Sequence, residues 1–476
     1  MSQAEIISLI VNIFQYLFLI YSVLIFTSYI LLSAYSRVET INYFKKNSYV
    51  NYKDILSSEL APSISIIAPA YNESLNIVEN IRSLLSTHYV NYEVIIINDG
   101  STDDSLDKLI KTYQLEKVDY LINDSIETKP LRAGVFKSKN PAFKNLIIVD
   151  KENGGKADAL NTGLNISKND YVACIDVDCL LVEDCLQKMI KPFLEHTDLK
   201  VIASGGVIRI ANSCKIENGK LIDVNFPDNL LVRMQVLEYL RSFLLGRMAW
   251  SRLNGLLVIS GAFGMFDKDI MLKVGGYDTK TVGEDMEVVV RMRKYMEEKN
   301  EKYKVAYIPD PLCWTEAPDN HKILISQRNR WARGTIETLK THRNIGLNYK
   351  YKVLGLLSFP YWFLFERMAP IVELIGVFFF IFLVIVRDLQ EMYILGFFLA
   401  AYLSAVAYSL LAIFTEEHTY HQYPKKGTGL KLMLTIFLEP FLLHPITLYA
   451  AIKGNYDYYF NKKKKWGMMT RKGLNN

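Results

Sequence analysis

Cysteine is scarce in this chain and nowhere paired. Its five cysteines, Cys174, Cys179, Cys185, Cys214 and Cys313, form no C-x-x-C unit and match no zinc spacing. That removes a disulfide framework and a structural zinc as organising devices, and it leaves reduced, buried thiols as the expectation. Charge of one sign is also in short supply, with a net formal charge of +5 over 476 residues. Much of that excess lies in runs beside apolar segments, such as Lys462–Lys465. This pattern suits lipid headgroups and argues against nucleic acid as a partner. A P-loop is missing as well. Gly154-Gly155-Lys156 invites that reading, but Asp150 stands where the first glycine belongs and Ala157 where Ser or Thr is needed. A lysine in a glycine-rich turn that opens a helix can still meet a diphosphate, or it can be a solvated helix-start lysine.

What the chain does have is long apolar runs. Ile6–Tyr35 holds no charged residue over 30 positions, where roughly 20 suffice to span a bilayer. No small-residue cleavage site follows it, so residues 1–36 read as a retained anchor. Arg37, Lys45, Lys46 and Lys53 follow the run and only Glu5 precedes it. The positive-inside rule then puts the N-terminus outside and residues 60–345 in the cytoplasm. Tyr351–Arg367 is aromatic with a few charges and suggests an interfacial helix. Met368–Val386 and Met392–Phe414, within 368–415, are long enough to span and are joined by Arg387–Glu391. The last apolar segment, 430–453, contains Glu439, Pro440, His444 and Pro445. If it crossed, the lysine-rich tail 454–476 would end outside. We expect it to lie in the interface or re-enter, giving a multi-pass protein with three true spans.

Between the apolar ends, short apolar runs alternate with helical patterns. Ser63–Ala68, Tyr92–Ile97, Leu146–Val149 and Tyr171–Ile175 read as strands, with Leu75–Ser86 and Ser105–Tyr113 as helices, and such alternation predicts a parallel sheet. Glu73, Asp99, Asp176 and Asp178 all fall at strand ends, on the edge where open α/β sheets bind ligands. In YVACIDVDCLL, Asp176 and Asp178 are one residue apart. Such a pair can hold a divalent cation and leave room for phosphate and water; taken alone, it can equally be a helix cap and a loop acid. Glu284 and Asp285 open a helical pattern. They either favour the helix macrodipole or include a catalytic carboxylate. Further on, Gln327, Arg330, Trp331 and Gly334 share one helix face. Trp beside Arg and Gln can stack on a sugar ring, and Trp can also mark headgroup depth.

Taken in order, Asp99 in NDGSTD, Asp176-Val177-Asp178, Asp285 in GED and Gln327-Arg328-Asn329-Arg330-Trp331 resemble the motifs of membrane-embedded, processive family 2 glycosyltransferases, similar to cellulose, hyaluronan and poly-N-acetylglucosamine synthases. The likeness covers about residues 60–340 and the membrane layout. It implies an α/β nucleotide-sugar-binding (GT-A-like) domain beside transmembrane and interfacial helices. It also implies roles. Tyr71, Glu73 and Asp99 would hold the nucleotide with Lys156 and Asp176. Asp178 would hold Mg2+ or Mn2+, and Asp285 would be the general base. Gln327, Arg330 and Trp331 would hold the diphosphate and the acceptor sugar. The tail Trp466-Gly467-Met468-Met469-Thr470-Arg471 resembles the W-G-T-R gate of hyaluronan synthases with two residues inserted, so Trp466, Thr470 and Arg471 would close over the nucleotide. Gly283 stands where the family usually has Thr.

The implied partners are a UDP-sugar, the growing polysaccharide, the lipid bilayer, and accessory export or regulatory subunits. No cyclic-dinucleotide domain is visible, so such regulation would need a partner. The expected activity is inverting, processive synthesis of a β-linked polysaccharide, leaning to UDP-glucose and a β-glucan, with UDP-N-acetylglucosamine as the alternative. Two readings compete with it: sugar transfer to a polyprenyl-phosphate lipid, which generally lacks Q-x-x-R-W, and a non-catalytic scaffold, which the full set of acids argues against.

Overall fold

The computed structural model describes residues 3–50, 52, 58, 61–195, 198–386 and 391–461. The strands in chain order are β1 (Ile64–Ala70), β2 (Tyr92–Asp99), β3 (Leu115–Val118), β4 (Leu131–Ser138), β5 (Leu146–Lys151), β6 (Tyr171–Ile175), β7 (Leu180–Leu181), β8 (Lys200–Ile210), β9 (Lys215–Glu217), β10 (Lys220–Asp223), β11 (Phe263–Asp267) and β12 (Tyr303–Thr315). Ten of them form one sheet in the order β3-β4-β5-β2-β1-β6-β11-β8-β12-β7. Its centre, β5-β2-β1-β6, is parallel. These are the Ile- and Val-rich runs, buried on both faces as parallel strands covered by helices must be.

The sheet as a whole is mixed rather than parallel. β11 runs antiparallel between β6 and β8, and β4 and β3 close one edge antiparallel. β11 follows the Ser260-Gly261 loop and returns against β6, which brings that loop beside Asp176, whose N–H donates to the Ala262 carbonyl (3.0 Å). β8 lies in a stretch with no clear alternation, because it too is buried on both faces. Its Gly205 and Gly206 leave room for Ile259 and Leu312, each of which would come within 2.7 Å of an added Cβ.

The N-terminal helix, Gln3–Asn47, is unbroken over 45 residues, so it runs past the expected boundary at 36. Its last turns pack on the α/β domain: Ser36 Oγ donates to the Leu244 carbonyl (2.5 Å), Glu39 pairs with Arg252 (3.4 Å) and Tyr43 donates to Asp310. Its apolar part pairs with two later helices, Ala369–Val386 through Phe14 and Phe379 (5.2 Å) and Glu391–Thr419 through Tyr29 and Tyr408 (4.8 Å).

Among the described residues, three helices are long and apolar enough to cross a membrane: Ser8–Asn47, Leu395–Thr419 and Thr428–Asn461. Leu354–Arg367 and Ala369–Ile385 make a fourth only as a pair bent by 40°. The segment expected as an interfacial helix is wound in widened π turns at Leu354–Ser358 and Trp362–Arg367.

Thr428–Tyr456 stays one helix through Pro440 and Pro445. Glu439 in its middle receives both guanidinium nitrogens of Arg241 at 2.9 Å. Its start is tied to the α/β domain by Lys431 and Asp228 (2.9 Å), and its end by Asn329 and Asp457 (2.9 Å). The gate-like residues Trp466, Thr470 and Arg471, Lys462–Lys465 and most of the loop at 387–390 lie outside the described residues.

Candidate active site

The glycine-rich turn is held by a buried charge network. One oxygen of Asp99 receives the Lys151 ammonium (2.8 Å) and the Gly154 N–H (2.9 Å), and the other receives the Gly155 N–H (2.8 Å). Lys151 is fully buried and also bridges to Asp158 (2.5 Å). An added Cβ at Gly154 would meet Asp158 Oδ1 at 2.4 Å. Asp99 therefore fixes the turn from which Lys156 starts its helix, Lys156–Ile166. Lys151 and Asp158 drew no functional reading from the sequence. The only available signal was an Asp-Lys pair closing a mostly apolar strand.

Lys156 reaches from that turn to the end of β6. Its Nζ lies 2.5 Å from Asp176 Oδ1, donates to the Gly261 carbonyl (3.0 Å) and sits 3.6 Å from Glu284. Burial works against its charge, but Asp176 and Glu284 outweigh it and hold the ammonium above its ordinary range. Burial pushes Glu284 up, Lys156 partly offsets this, and Asp285 adds to it. Asp178 is buried, with the Cys179 thiol 3.8 Å from its Oδ1. Among the described residues, no three or more His, Cys, Asp or Glu side chains are placed to hold a metal ion together. Protein side chains alone therefore do not make a metal shell here, and a divalent cation would need diphosphate oxygens and water to complete it.

The start of the helix Glu284–Glu298, with Gly283 as its N-cap, is pinned to the helix His321–Thr341, which carries QRNRW. An added Cβ at Gly283 would stand 2.6 Å from Gly334 Cα. Glu337, one turn on, accepts from Thr281 Oγ1 (2.7 Å) and from the Val282 N–H (2.8 Å). Arg328 stacks on Trp331 at 3.9 Å and pairs with Glu238 (2.7 Å).

The result is one cavity of about 920 Å3. Lys156, Asp176, Asp285, Gln327, Arg330 and Trp331 line it together. It continues between the membrane-region helices, past Tyr29, Tyr408, Glu373 and His444. Tyr71, Glu73, Asp99 and Asp178 are not part of its wall. Tyr71 is half-exposed beyond β1, and its neighbour Asn72 accepts from the Thr102 N–H (2.8 Å). The Glu73 carbonyl takes the N–H groups of Asn76 and Ile77, opening the next helix.

This arrangement can grip an anion beside a carboxylate base and offer an aromatic platform to a second substrate. Comparison with known proteins points the same way. A domain described as glycosyl transferase family group 2 matches residues 171–415, and one described as glycosyl transferase family 2 matches residues 65–129. A poly-beta-1,6-N-acetyl-D-glucosamine synthase of Staphylococcus epidermidis is 31% identical over 346 residues, covering 72% of this chain and 70% of that protein. The protein of the same description from Staphylococcus aureus (strain COL) is 28% identical over 324 residues, covering 68% of this chain and 65% of that protein. Among solved structures, a mannosyltransferase from Pyrobaculum calidifontis in complex with GDP-Man and Mn2+ overlays 91% of this chain and 100% of its own, at 17% identity and a TM-score of 0.49.

Proposed function

The chain belongs to the family 2 glycosyltransferases, and from that premise we propose that it is an inverting, processive synthase that polymerises N-acetylglucosamine from UDP-N-acetylglucosamine into a β-1,6-linked chain. The lean to UDP-glucose and a cellulose-like product finds no support among the relatives, whose printed names favour N-acetylglucosamine. The observation that carries the processive reading is the continuity of this cavity. It joins Asp285 and Trp331 to a passage between membrane-region helices, as a retained, departing polymer requires.

In this reading Tyr71 meets the base, and Asp99 acts by holding the turn that bears Lys156. Lys156 and Arg330 meet the diphosphate. Asp178, with Asp176 beside it, would hold Mg2+ or Mn2+ together with that diphosphate, and the cation would neutralise charge building on the leaving UDP. Trp331 stacks against the acceptor sugar. Asp285 accepts the proton of the acceptor hydroxyl as that oxygen attacks the anomeric carbon. One displacement inverts an α-linked donor into a β-linked product, so no second carboxylate nucleophile is needed. The basic tail would stay on the cytoplasmic face, with Trp466, Thr470 and Arg471 closing over the bound nucleotide.

The test is to incubate membranes with each UDP-sugar separately and digest the product with linkage-specific glycosidases. A high-molecular-weight product made from UDP-N-acetylglucosamine and cleaved by a β-1,6-specific enzyme is expected. Polymer from UDP-glucose alone would overturn the donor, and a lipid-linked monosaccharide would overturn processivity.

A further inference from the structure

Asp285 sits in the first turn of the helix Glu284–Glu298. Its Oδ1 takes the Met286 N–H (2.9 Å), so the carboxylate is oriented by its own helix. That helix cannot fix how far the carboxylate stands from Trp331, which lies on a different element. The spacing depends on what joins the strap Thr281-Val282-Gly283, just before the helix, to the helix His321–Thr341.

One side chain makes the polar part of that joint. Glu337 Oε2 takes two donors from the strap, the Thr281 hydroxyl (2.7 Å) and the Val282 N–H (2.8 Å). Thr281 passes the hold on, because its Oγ1 also accepts the Gly283 N–H (3.1 Å). A single carboxylate oxygen thus orders three successive residues, and hydrogen bonds to an ionised acceptor are the strong ones.

Arg330, Gly334 and Glu337 stand at i, i+4 and i+7, along one face of their helix. Arg330 lines the cavity, Gly334 leaves room for Gly283, and Glu337 holds the strap. The face that meets the substrates is therefore continuous with the face that carries the base. A second tie joins the same two helices further on: His342 Nε2 and Glu287 Oε1 are 2.9 Å apart, and Arg291 pairs with Glu287 (2.7 Å). These bonds hold the helices together without Glu337, which leaves Glu337 to set the strap rather than to support the fold.

Resting on the reading of Asp285 as the general base, we propose that Glu337 is a positioning residue that sets Asp285 against an acceptor held at Trp331. A misplacement of about 1 Å at a reacting group can cost on the order of 10²-fold in rate, so a clamp of this kind acts on turnover before it acts on binding.

The test uses the full-length protein and the UDP-sugar that the wild type uses. Glu337→Leu removes both acceptor bonds. Glu337→Gln keeps a carbonyl oxygen for the two donors and removes the charge, which also acts on the buried Arg333. Thr281→Val removes one bond and leaves the other. In Glu337→Leu, kcat should fall about 10- to 100-fold, while the donor KM stays within about twofold, since no donor contact is removed. Glu337→Gln should bring kcat back to within about threefold of wild type, and Thr281→Val should fall between the two. Adding Glu337→Leu to Asp285→Asn should lower the residual rate by less than about twofold, because the group being positioned is already gone. Unchanged kcat in Glu337→Leu would overturn the proposal. Failure of Glu337→Gln to rescue would also overturn it and make Glu337 a counter-ion of Arg333, and equal losses of kcat and UDP affinity would make its role structural. Full transfer by Asp285→Asn alone would defeat the general-base reading itself, and the positioning role with it.

Discussion

Gly283 and Gly334 touch backbone to backbone, with an added Cβ at the first falling 2.6 Å from the Cα of the second. The φ of Gly283 is −118°, which any residue adopts, so what this position requires is space. That accounts for the absence here of the threonine usual before Glu-Asp: the helix bearing Trp331 occupies the room a side chain would need. Gly283→Thr should cost about 1–3 kcal/mol through overpacking. It should also remove most transfer activity, because Gly283 caps the helix whose first turn carries Asp285. Thermal unfolding together with polymer yield checks this; a variant with unchanged Tm and yield would mean that the helix can step back freely.

The parallel centre of the sheet was legible because β1, β2, β5 and β6 are short, mostly apolar runs, and helical patterns follow β1 and β2. β11 and β12 were not. β11 is a five-residue strand set antiparallel by the loop before it, and β12 carries Pro309 and Pro311 inside a strand whose register shifts around them. Of the residues singled out from the sequence, Lys156, Asp176, Asp285, Gln327, Arg330 and Trp331 come together on one cavity wall, and Tyr71, Glu73, Asp99 and Asp178 do not. Lys151 was not legible, because a lysine's burial depends on which acids the fold brings to it. The same holds for Glu337, 55 positions from the Val282 N–H that it accepts, a distance over which sequence periodicity carries no information.

Lys151 stands between Asp99 and Asp158 with no exposure of its own. Lys151→Met should therefore leave two buried carboxylates without their shared cation. The expected loss is about 3–5 kcal/mol, the range for removing one partner of a buried pair. Asp99→Asn on the same background should restore part of it. Denaturation of the purified protein and UDP binding are the two measurements, and additive effects of the two substitutions would contradict the network.

Asp285 lines the cavity beside Gly261, where an added Cβ would lie 2.7 Å from Asp285 Oδ2. Asp285→Asn keeps the shape and removes the base. Transfer should fall about 10²- to 10⁴-fold, the usual contribution of general base catalysis, while UDP affinity stays close to wild type. Retained polymer synthesis would remove Asp285 from this role.

Glu284 gives a prediction with a definite sign in pH. Burial raises its folded-state pKa above the ordinary value of about 4.3. Its contribution to stability is therefore fully present below that value and is lost as pH rises through the raised one. Glu284→Gln should match wild type in strongly acidic buffer and be the more stable protein at neutral pH. Tm followed across that range decides it. A Tm difference that is constant with pH would show that the carboxyl does not titrate differently on folding.

The C-terminal apolar helix carries a glutamate and two prolines, yet it is continuous, and Arg241 neutralises Glu439. Its 29 residues would reach about 44 Å at 1.5 Å per residue, enough to cross. Both of its ends nevertheless bond to the domain that bears the acids, Lys431 to Asp228 and Asp457 to Asn329. Its middle packs on the two apolar helices before it, His444 on Glu373 (2.8 Å) and Phe441 on Tyr402 (5.2 Å), and with both ends held by the domain we predict that it re-enters, with both ends on the cytoplasmic side. Single cysteines test this cleanly, because all five native cysteines are buried. With a membrane-impermeant maleimide, Lys426→Cys and Phe460→Cys should both label from the cytoplasmic face. Met392→Cys, exposed near the start of the Glu391–Thr419 helix, should label from the opposite face. Labelling of Phe460→Cys from the outside alone would make this helix a true span and carry the basic tail across with it.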